Sequence, residues 1–149
     1  MATPLVVESL DLYPRIRLWC VMVQREVADR FFAVPRTKAY GAVSVLVQLA
    51  TERTGFHAVS REVFRPRPNV DSALVAFRRT SQGIDPTVKR LVEASFAHRR
   101  KTLANSLTLS GVSTREGAAA ALEAIGRPPG ARAEELPPPE FVALAAELS

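Results

Sequence analysis

A single cysteine, Cys20, is all the thiol chemistry this chain of 149 residues has. That excludes an internal disulfide framework and a cysteine-based zinc cluster, and it suits a reducing compartment. Taken alone, Cys20 reads as a small buried core residue. Histidine is almost as scarce, with only His57 and His98, far apart and without neighbouring carboxylates. No metal site or His-based acid–base centre is therefore expected. No apolar run is long enough to cross a bilayer, and the first residues lack the basic flank and apolar core of a signal peptide. The expectation is a cytoplasmic protein without membrane contact.

What the chain does contain is ordinary globular composition, 47% hydrophobic and 23% charged, with 20 basic residues against 15 acidic ones. The pI near 10.1 favours a polyanionic partner. Leu5, Val6, Val7, Leu10 and Tyr13 fill a short helix from a Thr3-Pro4 cap to Pro14. Ile16 to Val23 is nearly continuous in apolar residues, the pattern of a strand buried on both faces. With little chain before it, such a strand implies that part of a larger sheet is missing. An unpaired edge and apolar faces around Trp19 would favour self-association.

Two helices follow, Gln24 to Ala33 and Tyr40 to Arg53, the second with an apolar face broad enough to pack on a sheet. Phe56 to Ser60 and Val70 to Arg79 read as strands, with Val75 and Phe77 on one face of the latter and Val70, Leu74 and Ala76 on the other. Beyond Gly83, Asp85-Pro86 opens a helix expected to run to about Leu109. It carries Val92, Phe96, Leu103 and Leu107 as a stripe, with Arg99 and Arg100 flanking it and Lys101 pointing away. Lys89, Arg90, Arg99, Arg100 and Lys101 stand there against Glu93 alone, which is either a solvated face or a nucleic-acid footprint. Ser113 and Glu116 form a capping box for a helix stopped by Gly126, and Pro138 opens a last helix through Leu148 with Phe141, Leu144 and Ala145 inside.

Between the second and third strands lies Phe64-Arg65-Pro66-Arg67-Pro68-Asn69-Val70-Asp71-Ser72. Alternating prolines favour an extended, stiff backbone. Such an arm holding Phe64 beside Arg65 and Arg67 suits a nucleobase on its phosphate backbone. A polyproline-type connector whose phenylalanine caps the core explains the same spacing. Asp71 reads as a turn-stabilising residue rather than an acid or base.

Five ordered segments resemble the ribosomal RNA adenine dimethyltransferases, which convert adenosine to N6,N6-dimethyladenosine in small-subunit rRNA. They are Ala2-Thr3-Pro4-Leu5, Met22 to Arg30, Tyr40 to Gln48, the Phe64 to Ser72 stretch, which resembles the family's Phe-x-Pro-x-Pro-Lys-Val-Asp-Ser signature, and Phe96 to Leu107 with its Arg99-Arg100-Lys101-Thr102-Leu103 core. The resemblance implies an α/β fold, namely the C-terminal part of a Rossmann-like class I methyltransferase sheet followed by a small all-α domain. Residues 1–82 would form the first part and residues 83–149 the second. Ile16 to Val23 and Phe56 to Ser60 would be the fifth and sixth strands, with Val70 to Arg79 inserted antiparallel between them. Phe64 would stack on the target base, and Arg65, Arg67, Arg99, Arg100 and Lys101 would contact rRNA of the small ribosomal subunit. Asn69 departs from the usual lysine.

The resemblance also implies S-adenosylmethionine as cofactor, but its glycine-rich turn and the catalytic Asn-Leu-Pro-Tyr motif are expected upstream of Ala2. No catalytic, cofactor-binding or metal-binding residue is assigned in this chain, which alone should be inactive. Three other readings compete: a non-catalytic rRNA-binding or ribosome-assembly module, a large-subunit rRNA adenine methyltransferase of the antibiotic-resistance type, and a helix-turn-helix DNA binder. Acidic charge on the last two helices argues against the third.

Overall fold

The computed structural model describes residues 2–81 and 83–149. Helix α1 (Ala2–Leu12) leads into strand β1 (Leu18–Gln24), and α2 (Arg25–Phe31) and α3 (Ala42–Ala50) precede β2 (Thr51–Val59). A 3-10 turn (Arg61–Val63) and a loop connect β2 to β3 (Ser72–Arg79). The remainder is helical: α4 (Pro86–Phe96), α5 (Leu103–Leu109), α6 (Arg115–Ala124), a 3-10 turn (Ala133–Glu135) and α7 (Pro138–Leu148).

The sheet order is β1-β3-β2, and both outer strands pair antiparallel with β3. β1 and β2 therefore run parallel to each other with a reversed strand between them, the arrangement the sequence resemblance implies. One face carries Trp19, Val23, Ala73, Val75 and Phe77, all buried under α1, α2 and α3 together with Val6, Leu10, Phe31 and Val47. Trp19 stacks on Phe77 with centroids 5.3 Å apart, and its indole N–H donates to Ser9 Oγ at 2.9 Å.

The opposite face corrects two expectations. Burial alternates along β1: Trp19 is 8% exposed, whereas Leu18 is 71% and Met22 53% exposed. Cys20 lies on this open face rather than in the core, in register with Ala76, as Met22 is with Leu74. The near-continuous apolar run conceals a strand covered on one side only, and the exposed surface is made by Trp19's neighbours rather than by Trp19.

A second core gathers Leu91, Val92, Leu103, Leu107, Leu122, Leu136, Phe141 and Leu144 with Tyr40, Val45 and Leu46. Tyr40 is buried, and its hydroxyl donates to the Leu136 carbonyl at 2.6 Å. Burial, with some repulsion from Glu140, pushes its pKa up. Helix α3 thus serves both cores, through Val47 and Ala50 on one side and Val45 and Leu46 on the other.

Several helix ends match local sequence signals. Asp85 caps α4, accepting from the Thr87 N–H at 2.8 Å, with Pro86 in the first turn. Gly126 ends α6 with φ +85°. The cap of α6, however, is Thr114 rather than Ser113, accepting from the Gly117 N–H at 3.0 Å. A Cβ at position 117 would stand 2.9 Å from Thr114 Oγ1, so glycine lets the cap close. The long helix expected from Asp85 to Leu109 is two helices, broken at 97–102.

Arg79, 7% exposed, ends β3 and, among the described residues, forms no ion pair with a carboxylate. Its guanidinium instead donates to four carbonyls: Ile16 at 2.7 Å, Leu10 at 3.1 Å, Tyr13 at 3.2 Å and Ser81 at 3.3 Å. It also lies 5.1 Å from the Trp19 ring. Burial, and then the nearby Arg17, lower its pKa from the usual arginine value. The cation holds the C-terminal end of α1, where the helix dipole favours positive charge. Arg79→Ala is expected to cost about 2–4 kcal/mol of stability, because it removes four hydrogen bonds and the charge that made them, the one to the buried Leu10 carbonyl among them. Arg79→Lys should recover only part of that, as read from urea midpoints.

Candidate nucleic-acid interface

β1 and β2 deliver their carboxyl ends to the same edge of the molecule, where open α/β sheets receive ligands. β1 passes directly into α2 at Arg25, and β2 passes into the loop that returns as β3. The loop is closed at its neck. Asp71 Oδ1 accepts from the backbone N–H and the Nε of Arg61, both at 3.0 Å, and Arg61 Nη1 donates to the Asn69 carbonyl at 2.6 Å. The Arg25 N–H donates to the Asp71 carbonyl at 2.9 Å, joining α2 to the same neck. The Arg61 side chain, its backbone N–H and, more weakly, Arg25 hold the Asp71 carboxyl below the usual carboxylate range. Asp71 is therefore a structural clasp, as its turn-stabilising reading anticipated.

The stiff, extended arm expected from the prolines is corrected by this closure. Phe64 itself is extended, with φ −100° and ψ 149°, but bends on both sides fold the segment into a compact loop, and the Arg65–Pro66 peptide is cis. Phe64 is half-buried at the start of that loop, and among the described residues its ring stacks on no other aromatic. Arg65 curls back, donating to the carbonyls of Glu62 and Phe64 at 3.0 Å each. Arg67 extends outward and comes within only 3.9 Å of Glu62. Both arginines are exposed.

Arg99, Arg100 and Lys101 form a separate group. They are exposed in the turn between α4 and α5, not on a helix. Three contacts make the break. Lys101 N–H bonds the His98 carbonyl at 3.0 Å, Thr102 caps α5 through the Asn105 N–H at 3.3 Å, and Leu103 N–H bonds the Ala131 carbonyl at 2.9 Å. The buried Ser106 hydroxyl takes up the freed Ala94 carbonyl at 2.6 Å. Arg99 also lines a groove of about 560 Å3 with Glu26, Asp29, Arg30, Lys38 and Phe96. Helix α2 thus connects the two basic groups, with Arg25 at the neck of the loop and Arg30 on the groove wall.

The sequence reading missed Arg25, Arg30 and Lys38. Only the basic turn from Arg36 to Lys38 gave a local signal. His57 is exposed on the open sheet face. Among the described residues no group of three His, Cys, Asp or Glu side chains could hold a metal ion. Neither parallel strand is followed by a glycine-rich turn, so the described residues do not by themselves fit S-adenosylmethionine.

The fold and this edge define a class: the strands and loop of a Rossmann-like methyltransferase joined to a helical layer. The sequence profile of the ribosomal RNA adenine dimethylase family matches residues 1–145, and the chain belongs to that family. It is 44% identical over 151 aligned positions to the ribosomal RNA small subunit methyltransferase A of Rubrobacter xylanophilus, covering 100% of this chain and 56% of the relative. The protein of the same name from Streptomyces griseus is 41% identical, with 97% and 51% covered. The chain therefore spans about half the length of the curated relatives it matches.

Among solved structures, a dimethyladenosine transferase from Plasmodium falciparum superposes with a TM-score of 0.79 at 22% identity, over 96% of this chain and 61% of that one. The 23S rRNA methyltransferase ErmE gives 0.63 at 26% identity, over 98% of this chain and 60% of that one. Among the described residues, no helix is long and apolar enough to cross a membrane.

The clasp has a pH signature. Because the folded-state pKa of Asp71 is depressed, its contribution is fully present above the unfolded carboxylate pKa of about 3.9 and is lost as pH falls through the lower folded value. Loop closure should be constant from neutral pH down to about pH 4 and fail below it. Asp71→Ala should open the loop at neutral pH. Limited proteolysis of the loop, by trypsin after Arg61 at neutral pH and by pepsin beside Phe64 in acid, should report both effects, and unchanged cleavage of the variant would count against the clasp.

Proposed function

We propose that this chain forms the target-base and rRNA-contacting part of a small-subunit rRNA adenine N6,N6-dimethyltransferase. The carrying observation is the position of Phe64, at the carboxyl end of β2 in a loop clasped by Asp71 and Arg61, in a chain whose family profile is that of the rRNA adenine dimethylases. Chemistry on an exocyclic amine needs the base out of its stack and held against an aromatic face. Phe64 supplies that face. Arg67, and Arg65 once it releases its own loop carbonyls, contact the flanking phosphates, while Arg99, Arg100 and Lys101 engage a second stretch of rRNA. S-adenosylmethionine, when bound, supplies the methyl group, and the residues that hold it belong to the span of the relatives that this chain does not match. The names of the matched relatives favour the small-subunit substrate over the large-subunit one.

Two outcomes test this reading. The purified chain should bind small-subunit rRNA without transferring label from radioactive S-adenosylmethionine, and turnover would refute the assignment of the cofactor site elsewhere. Replacing Arg99 and Arg100 together with glutamine should weaken binding. It should also flatten the plot of log K against log salt by roughly 1.4 on single-stranded RNA, for two lost phosphate contacts. An unchanged slope would remove the second contact group.

The uncovered sheet face carries its own expectation. Leu18, Cys20, Met22 and Leu74 form an exposed apolar surface beside β1, whose outer edge pairs with no described strand. The 149-residue chain is proposed to self-associate through that face and edge. Sedimentation velocity should show species larger than a monomer, and Leu18→Lys combined with Met22→Lys should shift them towards the monomer.

A further inference from the structure

We infer that Arg25, Phe56 and Arg53 form a further contact site, for the phosphodiester backbone of a single RNA strand. A β-bulge creates it. In a regular strand, residues three apart face opposite ways, but the register of β2 against β3 slips between Arg53 and Gly55. Arg53 consequently stands opposite Phe77 and Phe56 opposite Val75, two β3 positions on the same face. β2 is an outer strand, so this pair projects at the border of the sheet. Phe56 is 36% exposed there and is met by two cations. The Arg25 guanidinium carbon lies 5.0 Å from its ring centroid and that of Arg53 5.6 Å away.

Stability alone is a poor account of the arrangement. Two like charges gathered on one ring repel each other, and exposed cation–π contacts contribute only about 0.5–1 kcal/mol each. Arg25 has a carboxylate partner in Asp29 at 3.3 Å, half-exposed on both sides. Arg53 is exposed and, among the described residues, has neither an ion-pair nor a side-chain hydrogen-bond partner. The ring therefore orients two guanidinium groups: Arg53 keeps its N–H edges open, and Arg25, bonded through Nε to Asp29, keeps its Nη groups, the donors that pair with phosphate oxygens. Arg25 also donates its backbone N–H to Asp71 at the neck of the Phe64 loop. A strand with one base at Phe64 can therefore continue past that neck onto the two arginines. This site rests on the rRNA reading proposed above and extends it to the nucleotides flanking the target.

The test measures binding of the full 149-residue chain to a fluorescent mixed-sequence single-stranded RNA oligonucleotide across a salt series. Arg53→Gln should weaken binding several-fold at low salt and reduce the salt slope by about 0.7, one phosphate contact, with the urea midpoint unchanged. Arg53→Lys should restore the slope. Phe56→Leu, which keeps both charges but removes the ring that orients them, should weaken binding less than Arg53→Gln. If Arg53→Gln binds like the parent while the Arg99 and Arg100 double variant loses affinity, this site is refuted and the rRNA reading stands. If the parent chain shows no salt-dependent RNA binding, both fall.

Discussion

The reversed direction of β3 is the constraint on which the rest depends. A strand that enters between two parallel neighbours must begin where they end, so the chain leaving β2 has to turn and re-enter at the same edge. Hydrogen bonding along the whole of β3 on both sides fixes that return point to within a residue. The connecting loop cannot drift to another part of the surface, and whatever it carries is displayed at the carboxyl ends of the parallel strands. Phe64 owes its position to this topology more than to the stiffness of its prolines, and the clasp between Arg61 and Asp71 only determines how the loop is folded once it is there.

Polar groups do different work at the two ends of β3. At its start, Asp71 is partly exposed and holds a loop closed through a charged partner of opposite sign. At its end, Arg79 is buried and spreads one positive charge over four backbone carbonyls. The first arrangement leaves a surface that can rearrange when a polyanion arrives. The second fixes α1 to the sheet. A strand anchored rigidly at one end and presenting an adjustable loop at the other suits a site that must admit a large, charged substrate without disturbing its own scaffold.

Much of this was legible in the sequence, for local reasons. Asp85-Pro86 and Gly126 mark helix ends through contacts within a few residues, and the alternation along β3 announces which side chains enter the core. What escaped depends on partners distant in sequence. The break at 97–102 needs the Ala131 carbonyl and the Ser106 hydroxyl, neither visible in the apolar stripe from Val92 to Leu107. The open face of β1 escaped because an all-apolar strand does not say which side the chain covers. The gathering of Arg53 with Phe56 escaped because the sequence placed Arg53 at the end of a helix, whereas β2 already begins at Thr51, and because a bulge in that strand turns both residues to one face. At the interface, the residue types of the Phe64 segment pointed to nucleic acid, but the folding back of Arg65 and the intervention of α2 follow from the neck contacts, which spacing does not encode.

Helix α3 has a further consequence. Because its two flanks lie in two different cores, neither core can lose its packing without uncovering one side of the same short helix, and nine residues are too few to remain helical in water alone. The sheet layer and the helical layer are therefore coupled through a shared element and should melt in a single transition rather than as separate units. A substitution that loosens the sheet would then lower the stability of the distant turn bearing Arg99, Arg100 and Lys101.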